Sequence, residues 1–261
     1  MRVSLVFSLW LFCLSGKVQA DVFPLYTYHT AEPFVLGAAP GLSEQFVTHF
    51  NRLSDGAVQF KLVPLARVVL NQKVAAHENM FILWGNSLWF SKLNTELQGS
   101  GILFWDSDIV VSLAAKPLLY NGPESFWGKS FTALEGHVYF KLDDGIQQGK
   151  VQRISRPDNL SMLQILRTGQ VDAMITTHST VLYWQRHNAD LPALYISPQH
   201  YDEYSRHILL GGEYQKYLAA VNQTLEKMRH DAKWLALLEY YGIFTLLDPF
   251  NLELDELQKV E

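Results

Sequence analysis

The side chains of this sequence best equipped for chemistry are equipped to hold a small molecule. Tyr28, Phe34, Trp84, Trp89 and Tyr139 can stack on a planar or sugar-like ligand, and Asn86, Thr176, Thr177 and His178 can orient one by hydrogen bonds. Two charges stand among them, Glu32 and Arg67, the latter able to supply a cation to an anionic ligand. Phe34 and Trp89 are more often packing residues, and Arg67 serves equally as a solvated or structurally paired arginine. Motifs that would transform a ligand fail. Residues 122–130 end in Gly128-Lys129-Ser130 like a phosphate-binding loop, but five residues separate Gly122 from Gly128 where four are required, and Pro123, Phe126 and Trp127 would deny the backbone its phosphate cradle. The nine histidines show no pairing at i, i+4 with a nearby acid, so they read as scattered surface and packing residues, and no metal site is expected. No Gly-x-Ser-x-Gly elbow occurs. Neither a cofactor nor an enzymatic activity is expected.

The elements that position these residues follow from periodicity. Residues 157–177 read as helix, turn and strand: Asp158 or Asn159 caps the helix, Leu160, Leu163 and Leu166 recur at helical spacing, Gly169 closes it, and Val171, Ala173 and Ile175 alternate as a strand. A helix returning directly into a strand implies a crossover into a parallel sheet, hence an α/β architecture. Upstream, residues 23–28 read as a strand, 41–53 as a helix, 58–63 as a strand, and Pro64 as the opening of a short helix carrying Arg67 to Leu70. Residues 81–84 and 109–114 are strand candidates; 116–129 is turn-rich, and the passage between lobes falls near Ser112 to Lys116. Beyond it come a strand at 136–140, a turn at Asp143-Asp144-Gly145 and a strand at 151–155. A returning strand at 204–210 and two amphipathic helices over 213–241, broken near His230 and stopped by Pro249, complete the pattern.

The first twenty residues read as a cleavable leader. Arg2 supplies the positive start, residues 3–14 an apolar stretch too short to span a bilayer, and Val18-Gln19-Ala20 a cleavage site before Asp21. Phe12 before Cys13 argues against lipidation, and cleavage removes the single cysteine, so no disulfide is expected in the exported chain. The chain is 48% apolar and long enough for two cores, which suits two lobes. Its net charge of −5, with no basic run, excludes nucleic acid as a partner. Residues 251–261 read as a solvated acidic tail.

In the order and spacing of several short pieces the chain resembles the bacterial extracellular solute-binding proteins of family 3. The pieces are Glu32-Pro33-Phe34 after the first strand, Gly41-Leu42 opening a helix, Pro64 to Arg67, Ser125 to Lys129 before a strand, Leu166 to Ile175 with Gly169, Val171, Asp172 and Ala173, and Asn222 with Leu225. The resemblance implies a two-lobed periplasmic binding protein type II fold, α/β, with two mixed sheets flanked by helices around a central cleft. Lobe 1 would comprise 21–114 plus 205–250, and lobe 2 115–204. It also implies a monomer in the periplasm that captures a small-molecule ligand by hinge closure for a membrane permease of the ABC type, or alternatively for a membrane sensor receptor. Strand ends face the crevice in such sheets, which is why the residues named at the outset are candidates for its lining. Two departures bear on the ligand. The arginine that clamps a ligand carboxylate in amino-acid binders is missing from Trp84 to Trp89, and the acid that receives the ammonium is replaced at Thr177. The resemblance is thus to orphan members, and an ordinary α-amino acid is not the expected ligand.

Overall fold

The computed structural model describes residues 21–56, 58–93 and 96–247; the leader with Cys13, Pro249 and the acidic tail lie outside the described residues. Among the described residues no helix is long and apolar enough to cross a membrane. The chain runs β1 (Val22–Thr27), α1 (Leu42–Leu53), β2 (Gln59–Pro64), α2 (Arg67–Ala75), β3 (Met80–Gly85), a 3-10 turn (Ser87–Leu93), β4 (Leu97–Gly99) and β5 (Phe104–Leu113). It continues through β6 (Lys129–Leu134), α3 (Phe140–Gln147), β7 (Val151–Arg156), α4 (Asn159–Arg167), β8 (Ala173–Thr177), α5 (His178–His187), β9 (Leu194–Ile196), β10 (Asp202–Gly211), α6 (Leu218–Arg229) and α7 (Ala232–Tyr240).

These elements build two lobes joined by the two longest strands. In the first, β2, β1 and β3 pair in parallel, and β10 closes against β3 and β4 through residues 207–211. In the second, β8, β6 and β7 are parallel, and β5 runs antiparallel to β8 and β9 through residues 108–113. Between the lobes β5 and β10 pair with each other over 104–108 and 202–206, and β10 changes register between His207 and Leu209 as it passes to β3. On β5 the pairing passes from β10 to β8 at Asp108, and the apolar run from Ile109 onward belongs to the second sheet.

Each sheet is buried on both faces, which the period of a strand makes visible. Phe81 and Leu83 of β3 pack with Phe46 and Phe50 of α1, while Met80 and Ile82 pack with Leu70 and Val74 of α2. In the second lobe Val110 and Ile175 face Phe131 and Leu142, whereas Ile109, Val111 and Met174 face Met162 and Leu166 of α4. Strands covered by helices on both sides read as continuous apolar runs, as Ile109 to Leu113 does.

The helix, turn and strand of 157–177 form as expected. The Asp158 carboxylate accepts the Ser161 N–H at 2.7 Å and Gly169 takes φ +70°; Leu160, however, is exposed, and Met162, Leu163, Ile165 and Leu166 form the buried face. Three expectations are corrected. The strand expected at 136–140 lies earlier, at β6, and Phe140 begins a helix. Asp143-Asp144-Gly145 is inside that helix: a Cβ at Gly145 would come within 3.1 Å of Val151 Cγ2, so the glycine permits helix α3 to approach β7 and makes no turn. Pro64 ends β2, and α2 starts only at Arg67.

Candidate functional site

The crossing strands carry charged side chains where the two lobes meet. Alternate residues of a strand share a face, so Asp106 and Asp108 on β5 point the same way as Tyr204 and Arg206 on β10. Asp106 and Arg206 form a buried ion pair in which Nε and Nη2 approach Oδ2 at 2.8 and 2.7 Å. Ser179 Oγ donates to the same oxygen at 2.8 Å, and the N–H groups of Ser107 and Ser179 donate to Oδ1 at 2.9 and 3.1 Å. Arg206 Nη1 donates to the Trp84 carbonyl at 3.2 Å and lies 3.3 Å from His29 Nε2. This pair ties both crossing strands, the end of β3 and the first turn of α5 into one unit.

Asp108, two residues on, is less well served. It is half-buried and accepts one side-chain hydrogen bond, from the Tyr204 hydroxyl at 3.0 Å. Burial pushes its carboxyl up to about 6, against the opposing effect of the Tyr204 hydrogen bond. Around it stand half-buried rings from the first lobe: Tyr28, whose hydroxyl burial pushes up to about 12, His29 at 4.1 Å from the Tyr28 ring, and Trp89, edge-on to Tyr204 at 4.9 Å. Arg67 lies 4.5 Å over the Tyr28 ring. The second lobe contributes His137, Tyr139 and Arg153, with the guanidinium 5.3 Å over the Tyr139 ring. Burial and the charge of Arg206 hold His29 well below its ordinary pKa. Desolvation, then Arg67, Arg153 and Arg206, lower that of His137. His29 is therefore neutral at pH 7, a hydrogen-bonding group beside guanidinium charge, whereas His137 is exposed to solvent.

The residues expected to line the cleft divide. Tyr28, Arg67, Trp89 and Tyr139 come together there, although Tyr139 is only 3% exposed and its ring also packs on Phe131. Glu32 stands at its edge and joins the lobes: its carboxylate accepts from Trp184 Nε1 and its carbonyl from Thr180 Oγ1, both at 2.6 Å. Trp84 and Phe34 do not line it. Both are core residues of the first lobe, and Trp84, held at φ +61°, sends its indole N–H to Ser43 Oγ at 3.0 Å. Asn86 is a brace, donating to the Ser205 carbonyl and accepting the Leu88 N–H, both at 3.0 Å. Thr176 turns to Asn159 at 3.3 Å, Thr177 caps α5, and His178 sits 5.9 Å from the His200 ring. Sequence reasoning missed His29, Asp108, His137, Arg153 and Tyr204. One signal was present: acids at 106 and 108 on the same strand as the apolar run Ile109 to Leu113 contradict a purely structural element.

No family model matches the sequence, and no curated protein is significantly similar to it. Solved structures do match in fold. The GluR0 ligand-binding core from Nostoc punctiforme in complex with L-glutamate is 15% identical, with TM-score 0.65 over 85% of this chain and 99% of that one. A putative L-cystine ABC transporter protein from Listeria monocytogenes is 14% identical, with TM-score 0.67 over 87% and 98%. An ancestral arginine-binding protein bound to arginine is 14% identical, with TM-score 0.64 over 85% and 99%. These are ligand-binding proteins of the kind the sequence resemblance named, and the present chain has their two-lobed α/β fold.

Proposed function

We propose that this chain is an exported solute-binding protein that captures a small molecule between its lobes and delivers it to a membrane permease. The lobes are 21–114 plus 205–250 and 115–204, turning about the stretch where β5 and β10 pair, and closure on the solute shifts the balance between open and closed forms. The observation that carries this reading is the set of half-buried aromatic and charged groups, Tyr28, Trp89, Arg67, Asp108, Arg153 and Tyr204, gathered from both lobes and the crossing strands. A structural core would saturate such groups, as it does Asp106 and Arg206. The fold neighbours, which include proteins bound to glutamate and to arginine, support the same reading.

The ligand is not an ordinary α-amino acid. The stretch from Trp84 to Trp89 offers no guanidinium, and the Thr177 hydroxyl is engaged with Thr180 Oγ1 at 2.8 Å. Asp108 stands directly opposite Thr177 in the sheet and is the acid left to receive an ammonium, but its raised pKa weakens it for that task. A thermal-shift screen against small solutes tests the reading: a solute that raises the melting temperature of the wild type and not of Trp89→Ala supports capture in the cleft. Submicromolar binding of free glutamate, glutamine, lysine or arginine by calorimetry would refute the exclusion of amino acids, and a solute library without any effect would refute the function.

A further inference from the structure

We infer that the solute is an aromatic ring carrying two anionic groups, one for Arg67 of the first lobe and one for Arg153 of the second. This rests on the cleft being the solute site, as proposed above. Both guanidiniums are held by neutral acceptors alone. Arg67 donates from Nε to Asn71 Oδ1 and from Nη2 to the Trp89 carbonyl, each at 2.9 Å. Arg153 donates from Nε to Ser155 Oγ at 3.1 Å and from Nη2 to the carbonyls of Leu134 and His137 at 2.9 and 2.8 Å. Among the described residues neither has a carboxylate partner, whereas Arg52, Arg206 and Arg229 each have one. Among the described residues Arg153 Nη1 has no protein acceptor, and Arg67, which also bonds the Tyr28 hydroxyl, has only neutral partners, so each presents a charged N–H edge of the kind that receives a carboxylate.

The two guanidiniums also converge. Arg67 lies 4.5 Å over the Tyr28 ring, itself 4.1 Å from the His29 ring, while Arg153 Nη2 donates to the His137 carbonyl at 2.8 Å; Lys92, three residues after Trp89, reaches 4.8 Å over the Phe140 ring beside Tyr139 and so brings these ends of the two lobes together. Arg206 is matched by Asp106 and Asp202 by Lys141, which leaves Arg67 and Arg153 against Asp108, with Glu32 at the edge, in a chain whose formal charge is −5. An anion is drawn to such a field, and a ligand with an anionic group for each lobe gains most from the closed form. The half-buried rings of Tyr28, Trp89 and Tyr204 supply aromatic faces and edges against which a planar ligand packs. A zwitterion fits less well, because the carboxylate facing the cleft already accepts the Tyr204 hydroxyl.

The test is calorimetry on the full exported chain with the three benzenedicarboxylate isomers, benzoate, benzamide and L-glutamate. At least one dicarboxylate should bind about tenfold more tightly than benzoate, and benzamide should not bind. Arg67→Met and Arg153→Met should each weaken that dicarboxylate about tenfold or more, with partial recovery in Arg67→Lys and Arg153→Lys and with the melting temperature of the free protein nearly unchanged. The lysine variants keep the test decisive should a methionine variant fail to fold. Failure of all three dicarboxylates to bind, or binding indifferent to both arginines, overturns the inference. A neutral or zwitterionic solute that binds wild type tightly and loses its affinity in Trp89→Ala also overturns it, while leaving the cleft as the solute site.

Discussion

Asp106 and Asp108 are the same residue type, two positions apart on one strand and on one face, yet they do different work. Asp106 is 4% exposed and accepts from an arginine, a serine hydroxyl and two backbone N–H groups; Asp108 is half-buried, and among the described residues its carboxylate accepts from one tyrosine. The difference lies in the partners. A buried carboxylate with every lone pair engaged fixes a structure, whereas one left partly open, among rings and unpaired guanidiniums, is a group whose surroundings a ligand can complete.

The sharpest way to break that comparison is to remove the partner of Asp106. Arg206→Met leaves a carboxylate buried without its cation and should cost about 3–5 kcal/mol of folding stability, read by denaturant unfolding. A loss as small as that of a surface substitution would mean that the crossing is not tied by this pair. Next comes a contrast between two tryptophans of the same segment. Trp84→Ala should cost about 3–5 kcal/mol through the cavity it leaves, whereas Trp89→Ala should cost much less in stability and about tenfold or more in affinity for any solute that the wild type binds. An unaltered affinity in Trp89→Ala would remove that ring from the site.

Asp108 gives a smaller effect that depends on pH. Its folded pKa of about 6 exceeds the ordinary 3.8, so folding favours its protonated form; that contribution is complete below the ordinary value and is lost as pH rises through about 6. Asp108→Asn should therefore gain stability relative to the wild type as pH rises across this window. The groups facing Asp108 are Tyr204, Asp106, Arg206 and Asp202, and ionisation among them adds negative charge to the cleft. Binding of an anionic solute should thus weaken from pH 5 to 7 in the wild type and less so in Asp108→Asn; parallel curves would assign the titration to another group. The smallest effect is expected at the edge: Glu32→Gln exchanges a charged acceptor for Trp184 Nε1 for a neutral one and should speed solute release about threefold, measured by stopped flow.

Much of the scaffold was legible because periodicity and punctuation agree with it. The helix after Asp158, the closing Gly169, the buried run from Ile109 and the two C-terminal helices meeting at His230 all follow from local signals that tertiary packing reinforces. The site was legible only in part, because its members are distant in sequence and their directions depend on register. Trp84 and Trp89 look alike as letters, but the first lies on a strand covered by helices on both faces and the second on a 3-10 turn beyond it. Arg153 could not be found from spacing, since its neighbours Leu134 and His137 reach it across the β6–β7 pairing. Gly145 misled for a related reason: a close approach between elements looks, in sequence, like a turn.

The central claim is that a small solute is held between Trp89 and Tyr204 on one side and Tyr139 with Arg153 on the other. A crystal structure of the protein with whichever solute raises its melting temperature tests this most directly. The account predicts the solute packed against those aromatic rings, with an anionic group on Arg67 or Arg153 and both lobes in contact with it. A solute bound on the outer surface of one lobe, with the groups around Asp108 untouched, would contradict it.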